Sequence, residues 1–131
     1  MSEILVAGIE GDIPSFELLT TLQKFDLILG TARFLTQLNT LKAELIPIVP
    51  LAAAFKHIEQ GLVKGRSVAI LASGDPLFYG IGRKLLTQFS KQKIKFLPSP
   101  TSIQQACARF GLPWDDAQLI SLHGRQHNHL P

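Results

Sequence analysis

Five short apolar runs punctuate the chain, at residues 4–9, 27–30, 45–49, 68–72 and 94–97. Each is too short for a helix, and several are bounded by Gly, Pro or charge, so they are predicted to be buried strands. The intervals between them carry helical spacing. Phe16, Leu19, Thr20 and Gln23 share one predicted helical face, Phe34, Leu35, Leu38 and Leu41 a second, and Ala53, Ala54, His57, Ile58 and Leu62 a third. A further helix is predicted over 103–110, with Gly111 as its stop. Strands that are apolar throughout, rather than alternating, are covered on both faces. The predicted fold class is therefore α/β: a three-layer αβα arrangement with a mostly parallel five-stranded sheet and helices on both faces. Ligands of such sheets bind beyond the carboxyl ends of the strands, which directs attention to the segments after Ile9, Ala72 and Leu97.

The segment after the fourth run reads Ser73-Gly74-Asp75-Pro76-Leu77-Phe78-Tyr79-Gly80-Ile81-Gly82. Asp followed by Pro is a good helix start, because the carboxylate can cap free N–H groups and proline suits the first helical position. Gly74 before that cap, and Gly80 and Gly82 inside the first turns, are less easily explained, since each helical Gly costs about 1 kcal/mol relative to Ala. They imply close approach of a ligand or of another stretch of backbone. No Gly-Lys-Ser/Thr follows, and no G-x-G-x-x-G opens a helix after the first run, so phosphate cradling is disfavoured. The first loop, Gly8-Ile9-Glu10-Gly11-Asp12, has two carboxylates that would repel a pyrophosphate and could face a cation. It reads equally well as a tight turn in which Asp12 helps to cap a helix beginning near Pro14. In the third loop, Leu97-Pro98-Ser99-Pro100-Thr101-Ser102, either Thr101 or Ser102 can be the N-cap of the following helix, and a capping hydroxyl can also meet a ligand.

Composition adds boundaries. The 131 residues are 46% hydrophobic and 18% charged, which suits one globular domain with a substantial core. A formal net charge of +3 is too small and too dispersed for a nucleic-acid footprint and fits an anionic small molecule better. The only cysteine, Cys107, is predicted to be a small buried hydrophobe. No run approaches the roughly 20 apolar residues that span a bilayer, so no membrane association and a cytoplasmic location are expected. From Leu112 the pattern breaks. Residues 1–112 are expected to form the α/β domain and 113–131 a linker, Pro113-Trp114-Asp115-Asp116, with a new strand at 118–122 opening a second domain. His123, His127 and His129 have no regular metal-site spacing and no neighbouring thiolate or carboxylate partner, so no metal is expected. His57 reads as a helix-surface or satisfied core histidine.

Three strings resemble the tetrapyrrole methylase family: residues 73–82 quoted above; Pro98-Ser99-Pro100-Thr101-Ser102 with its helix; and Gly111-Leu112-Pro113-Trp114-Asp115-Asp116 leading to Ser121-Leu122-His123-Gly124-Arg125. The last string is similar to the branch that methylates C5 of a precorrin. The resemblance implies an S-adenosylmethionine-dependent C-methyltransferase of cobalamin biosynthesis, with Ser73, Gly74, Asp75 and Phe78 contacting S-adenosylmethionine and Thr101 and Ser102 contacting it from the next loop. It also implies two α/β domains with the cofactor between them, this chain stopping as the second would begin. The family's first loop is usually of Gly-x-Gly-Pro-Gly type, from which Gly8-Ile9-Glu10-Gly11-Asp12 departs. The implied partner is a precorrin (tetrapyrrole) substrate, whose carboxylates would suit Arg33, Arg83, Lys84 or Arg125, although a solvated surface explains these cations too. A homo-oligomer (dimer), or association with a second-domain chain, is expected to cover the unpartnered cleft face. A second class stays open on the sequence: a catalytically inactive module that dimerises or binds a tetrapyrrole or a partner protein.

Overall fold

A computed structural model describes residues 3–118. They fall into two compact units, one ending at Pro100 and the other beginning at Thr101. The first unit alternates strand and helix: β1 (Ile4–Ile9), α1 (Phe16–Leu22), β2 (Leu27–Gly30), α2 (Ala32–Leu35), β3 (Glu44–Pro47), α3 (Leu51–Val63), β4 (Val68–Ser73), α4 (Gly82–Gln88), a single 3-10 turn (Lys91–Lys93) and β5 (Ile94–Leu97). The second unit holds α5 (Ser102–Phe110).

All four strand pairings are parallel, and the order across the sheet is β3-β2-β4-β1-β5. The central strands are buried on both sides because their side chains alternate between two apolar layers. Ile4 and Val6 of β1, with Leu27, Leu29, Val68 and Ile70, pack against Ala54 and Ile58 of α3 and Leu85 of α4. Leu5, Ala7 and Ile9 of β1, with Ile28, Ala69 and Leu71, pack against Leu18 and Leu22 of α1 and against Phe34 and Leu38. Helices thus cover both faces, and the sheet is wholly rather than mostly parallel.

Three helical expectations change. On α1 the buried residues are Leu18 and Leu22, while Phe16, Thr20 and Gln23 are exposed. The i,i+4 leucine pair buries only apolar atoms, whereas the predicted face would have put a Thr and a Gln against the sheet. The second helix has only four residues, and hydrogen bonds from Leu38 to Leu35 and from Leu41 to Leu38 carry the chain onward in i to i−3 turns. Those turns keep Phe34 and Leu38 on one side, which is why the spacing looked helical. On α3, Ala54 and Ile58 are buried but Ala53 and His57 are exposed, so His57 is a helix-surface histidine.

At the amino ends of the strands, the Asp26 carboxylate accepts from the Ser67 N–H (2.9 Å), and the Asp26 N–H donates to the Ser67 hydroxyl oxygen (3.0 Å). The Ser67 N–H bond to the carboxylate, joined by a bond from the Ser67 hydroxyl to the same oxygen (3.2 Å), lowers the Asp26 pKa below its ordinary 3.8. Arg66 adds a bond to the Asp26 carbonyl (3.2 Å) and an ion pair with Glu44 (2.9 Å), tying β2, β3 and β4 together at that end.

In the second unit, Thr101 is the N-cap of α5 and forms a reciprocal capping box with Gln104 (3.1 and 2.7 Å). Ser102 is the first helical residue, and Gly111 closes the helix in the left-handed conformation that glycine tolerates. Cys107 is half-buried rather than buried, because α5 has no fully buried position. Residues 112–118 contain neither helix nor strand. Beyond Gln118, the strand expected at 118–122 and the histidines at 123, 127 and 129 lie outside the described residues.

Candidate functional site

Adjacent strands β1 and β4 send the chain to opposite faces of the sheet, β1 toward α1 and β4 toward α4. That divergence is the topological switch point at which open α/β sheets bind ligands. Three loops of the first unit meet there. Pairing of β1 with β4 runs to Ile9 opposite Ser73, after which the Gly74 N–H donates back to the Ile9 carbonyl (2.9 Å). Gly74 has φ +70°, which side-chain-bearing residues rarely adopt, so a glycine is required for this turn. Ser73, at the strand's end, is exposed.

Asp75 does not begin a helix, since α4 starts seven residues later at Gly82. One carboxylate oxygen accepts the Leu77 N–H (3.1 Å), and the other accepts the Ser99 N–H from the loop after β5 (3.1 Å). The capping expectation fails because the chain folds into turns at 75–81, with the Gly82 N–H on the Pro76 carbonyl (2.8 Å). A Cβ at Gly82 would lie 2.6 Å from that carbonyl oxygen, so the glycine admits the protein's own backbone. Phe78 is half-buried and meets Tyr79 edge to face at 4.8 Å.

The third loop completes the junction. A Cβ at Gly8 would collide with the Gly74 carbonyl oxygen and lie 2.6 Å from the Ser99 Cβ and 3.0 Å from the Pro76 Cδ. On the α1 side of this junction lies a cleft of about 500 Å³. Its floor includes Ala7, Ile9, Leu18 and Leu97, and its polar lining includes Glu10, Ser15, Glu17 and Thr21. Ser73, Gly74, Asp75 and Phe78 do not line it. Ser15 and Thr21 already serve the helix: the Ser15 hydroxyl oxygen accepts from Leu18 N–H (3.1 Å), and the Thr21 hydroxyl donates to the Glu17 carbonyl (3.1 Å).

Ser15 is thus the cap expected of Asp12, which instead pairs with Arg33 at 3.3 Å. Glu10 was visible in the sequence as a carboxylate suited to a cation. Glu17 and Thr21 carried no signal of their own, because their position in the cleft depends on which face α1 turns to the sheet. Among the other expected residues, Thr101 and Ser102 belong to the second unit, Arg83 and Lys84 are exposed on α4, and Arg125 lies outside the described residues. Among the described residues, no cluster of three or more His, Cys, Asp or Glu side chains could hold a metal ion, and no helix is long and apolar enough to cross a membrane.

Residues 15–130 match the family model of the Tetrapyrrole (Corrin/Porphyrin) Methylases. The chain belongs to that family. Among curated tetrapyrrole methylases, it is 40% identical over 62 residues to the cobalt-precorrin-7 C(5)-methyltransferase of Salmonella typhimurium, which is 47% of this chain and 31% of that protein. It is 33% identical over 106 residues to a probable cobalt-precorrin-7 C(5)-methyltransferase of Methanocaldococcus jannaschii, covering 79% of this chain and 50% of that protein. The crystal structure of a cobalamin biosynthesis precorrin-6Y methylase from Archaeoglobus fulgidus superposes with a TM-score of 0.68 at 22% identity, over 94% of this chain and 66% of that one. This last likeness establishes the tetrapyrrole methylase fold. The chain spans half or less of the length of the two curated relatives.

Proposed function

We propose that this chain provides one wall of a site for S-adenosylmethionine-dependent methyl transfer to a ring carbon of a precorrin in cobalamin biosynthesis. The observation that carries the reading is the junction of the β1, β4 and β5 loops at the switch point, in a chain of this family. The residues present fit the cofactor. Gly74 is held in a conformation that leaves open space where a side chain would stand, its nearest neighbour being the Pro100 carbonyl oxygen at 3.8 Å. Beside it, Ser73 offers an exposed hydroxyl and Phe78 an aromatic ring. Ser73, Gly74, Asp75 and Phe78 are assigned to the cofactor wall, and Thr101 and Ser102 to contacts from the following segment. Carboxylates Glu10 and Glu17 make the neighbouring cleft suited to a cation and hostile to a polycarboxylate.

When bound, S-adenosylmethionine supplies an electrophilic methyl group on a positively charged sulfur. Little acid–base chemistry is needed from this chain, because a reduced tetrapyrrole carbon is itself the nucleophile. Its residues act by holding and orienting, and positioning at about 3–3.5 Å can contribute roughly 7–11 kcal/mol. Exclusion of water adds to this, since the positive charge is dispersed as the methyl group passes from sulfur to carbon, and water solvates the localised charge of the ground state better than the dispersed one. A second wall is required to close the site. Ile13 and Phe16 near β1, and Leu77 and Tyr79 after β4, are exposed apolar side chains that such a wall would cover, whether from a second copy or another chain.

Calorimetric titration of the chain with S-adenosylhomocysteine tests the proposal. Binding in the micromolar to millimolar range is expected, and absence of heat at millimolar ligand sinks the cofactor reading. Co-expression with the complementary part of a cobalt-precorrin-7 methyltransferase is expected to restore precorrin methylation.

A further inference from the structure

We infer that Asp75 is a positioning residue, a clamp that holds the β5 loop against the β4 loop and sets the cofactor wall through Ser99 rather than by contact with a ligand. The two carboxylate oxygens are divided between two loops, Oδ2 accepting from Leu77 and Oδ1 from Ser99, each at 3.1 Å. The sequence around both donors leaves few other choices. Pro98 and Pro100 have no N–H, so Ser99 offers the only backbone donor in that three-residue segment. Pro76 likewise has none, so Leu77 is the first donor after Asp75. Hydrogen bonds to an ionised acceptor are roughly twice as strong as neutral ones, which suits a single tie between loops 24 residues apart. Gly8 shows how tightly the parts fit, since even a Cβ there would press to 2.6 Å on the Ser99 Cβ. With β1 as the fixed neighbour, loss of the Asp75–Ser99 bond frees the β5 loop to lift away.

The consequence for ligand binding rests on the cofactor reading above, whereas the clamp itself does not. Two variants of the full chain separate clamp from ligand contact. Asp75→Ala removes both acceptors, while Asp75→Asn keeps one acceptor and abolishes the charge. In the alanine variant, amide exchange at Ser99 and Leu77 is expected to accelerate, while amides of the central strands such as Ile70 keep their protection. S-adenosylhomocysteine affinity is expected to fall by about tenfold or more. The asparagine variant is expected to slow exchange at one of the two amides again and to recover at least half of the lost logarithmic affinity. Unchanged Ser99 exchange in the alanine variant, or an asparagine variant that loses as much affinity as alanine, overturns the inference. If the wild-type chain binds no S-adenosylhomocysteine, the cofactor reading fails by itself, and Ser99 exchange in the two variants still decides the clamp.

Discussion

Gly8→Ala puts one methyl group into the place where three loops meet. Gly8 lies within β1, outside the positive-φ glycines, so the added methyl acts by collision rather than by backbone strain. The Cβ would overlap the Gly74 carbonyl oxygen and stand 2.6 Å from the Ser99 Cβ and 3.0 Å from the Pro76 Cδ, where 3.4–4 Å is ordinary contact. None of these atoms is the free end of a flexible side chain, so relief requires the loops to separate. Overpacking of this kind costs about 1–3 kcal/mol, and the upper end applies because the neighbours are backbone, Cβ and a proline ring. Restricting the unfolded chain returns roughly 0.4–1 kcal/mol, leaving a net destabilisation of about 2 kcal/mol. Unfolding entropies near 2.1 cal/mol/K per residue give about 0.24 kcal/mol/K for the described residues, so the melting temperature should fall by about 8 °C. Gly11→Ala is the matched control. Nothing lies within 4 Å of its Cβ position, but its φ is +76°, so it should lose only about 1 kcal/mol through backbone strain. Calorimetric melting of both variants decides the matter, and a Gly8→Ala melting point within about 2 °C of wild type refutes the tight junction.

Three further outcomes follow from the same structure. Phe34→Ala empties a fully buried position under α2 and is expected to cost about 3–5 kcal/mol by urea unfolding; a loss below about 1 kcal/mol would show that the site collapses freely. Thr101→Ala removes the capping box of α5 and is expected to destabilise that helix by roughly 0.5–2 kcal/mol, read as faster amide exchange at Gln104 and Gln105 with strand amides unaffected. Asp26 has a depressed pKa, so its contribution to stability is present above 3.8 and fades as the pH falls through the lower folded value. Asp26→Asn should therefore melt below wild type at neutral pH and converge with it in acid; parallel curves over that range would remove Ser67 as the cause.

The strands were legible because burial on both faces leaves a mark that needs no partner to be seen. The edges of β1, β2 and β5 agree with the apolar runs, and β4 extends one residue further, to Ser73. Expectation and structure part at β3, which is Glu44–Pro47 rather than 45–49, because pairing with β2 puts exposed Glu44 opposite Leu27 at the edge of the sheet. Along α1 the apolar residues Phe16, Leu18, Leu19 and Leu22 permit more than one buried stripe, and only packing on β1 and β2 selects Leu18 and Leu22. Local rules also fail where a distant donor competes. Asp-Pro signals a helix start from its neighbours alone, but the Ser99 N–H claims one oxygen of Asp75 from the far side of β1.

By itself, the sequence determined the αβα class, the family, and the three loops expected to carry the site, since apolar periodicity and short motifs are properties of contiguous residues. Only the tertiary structure decided the order β3-β2-β4-β1-β5, and with it the placement of the Ser73–Gly74 turn beside Ile9 and of Ser99 beside Asp75. It also decided that Glu10 and Glu17, rather than the β4 loop, line the cleft. The reason is physical: hydrogen bonds and steric contacts between loops 24 or more residues apart depend on which strands are neighbours, and local periodicity carries no information about that.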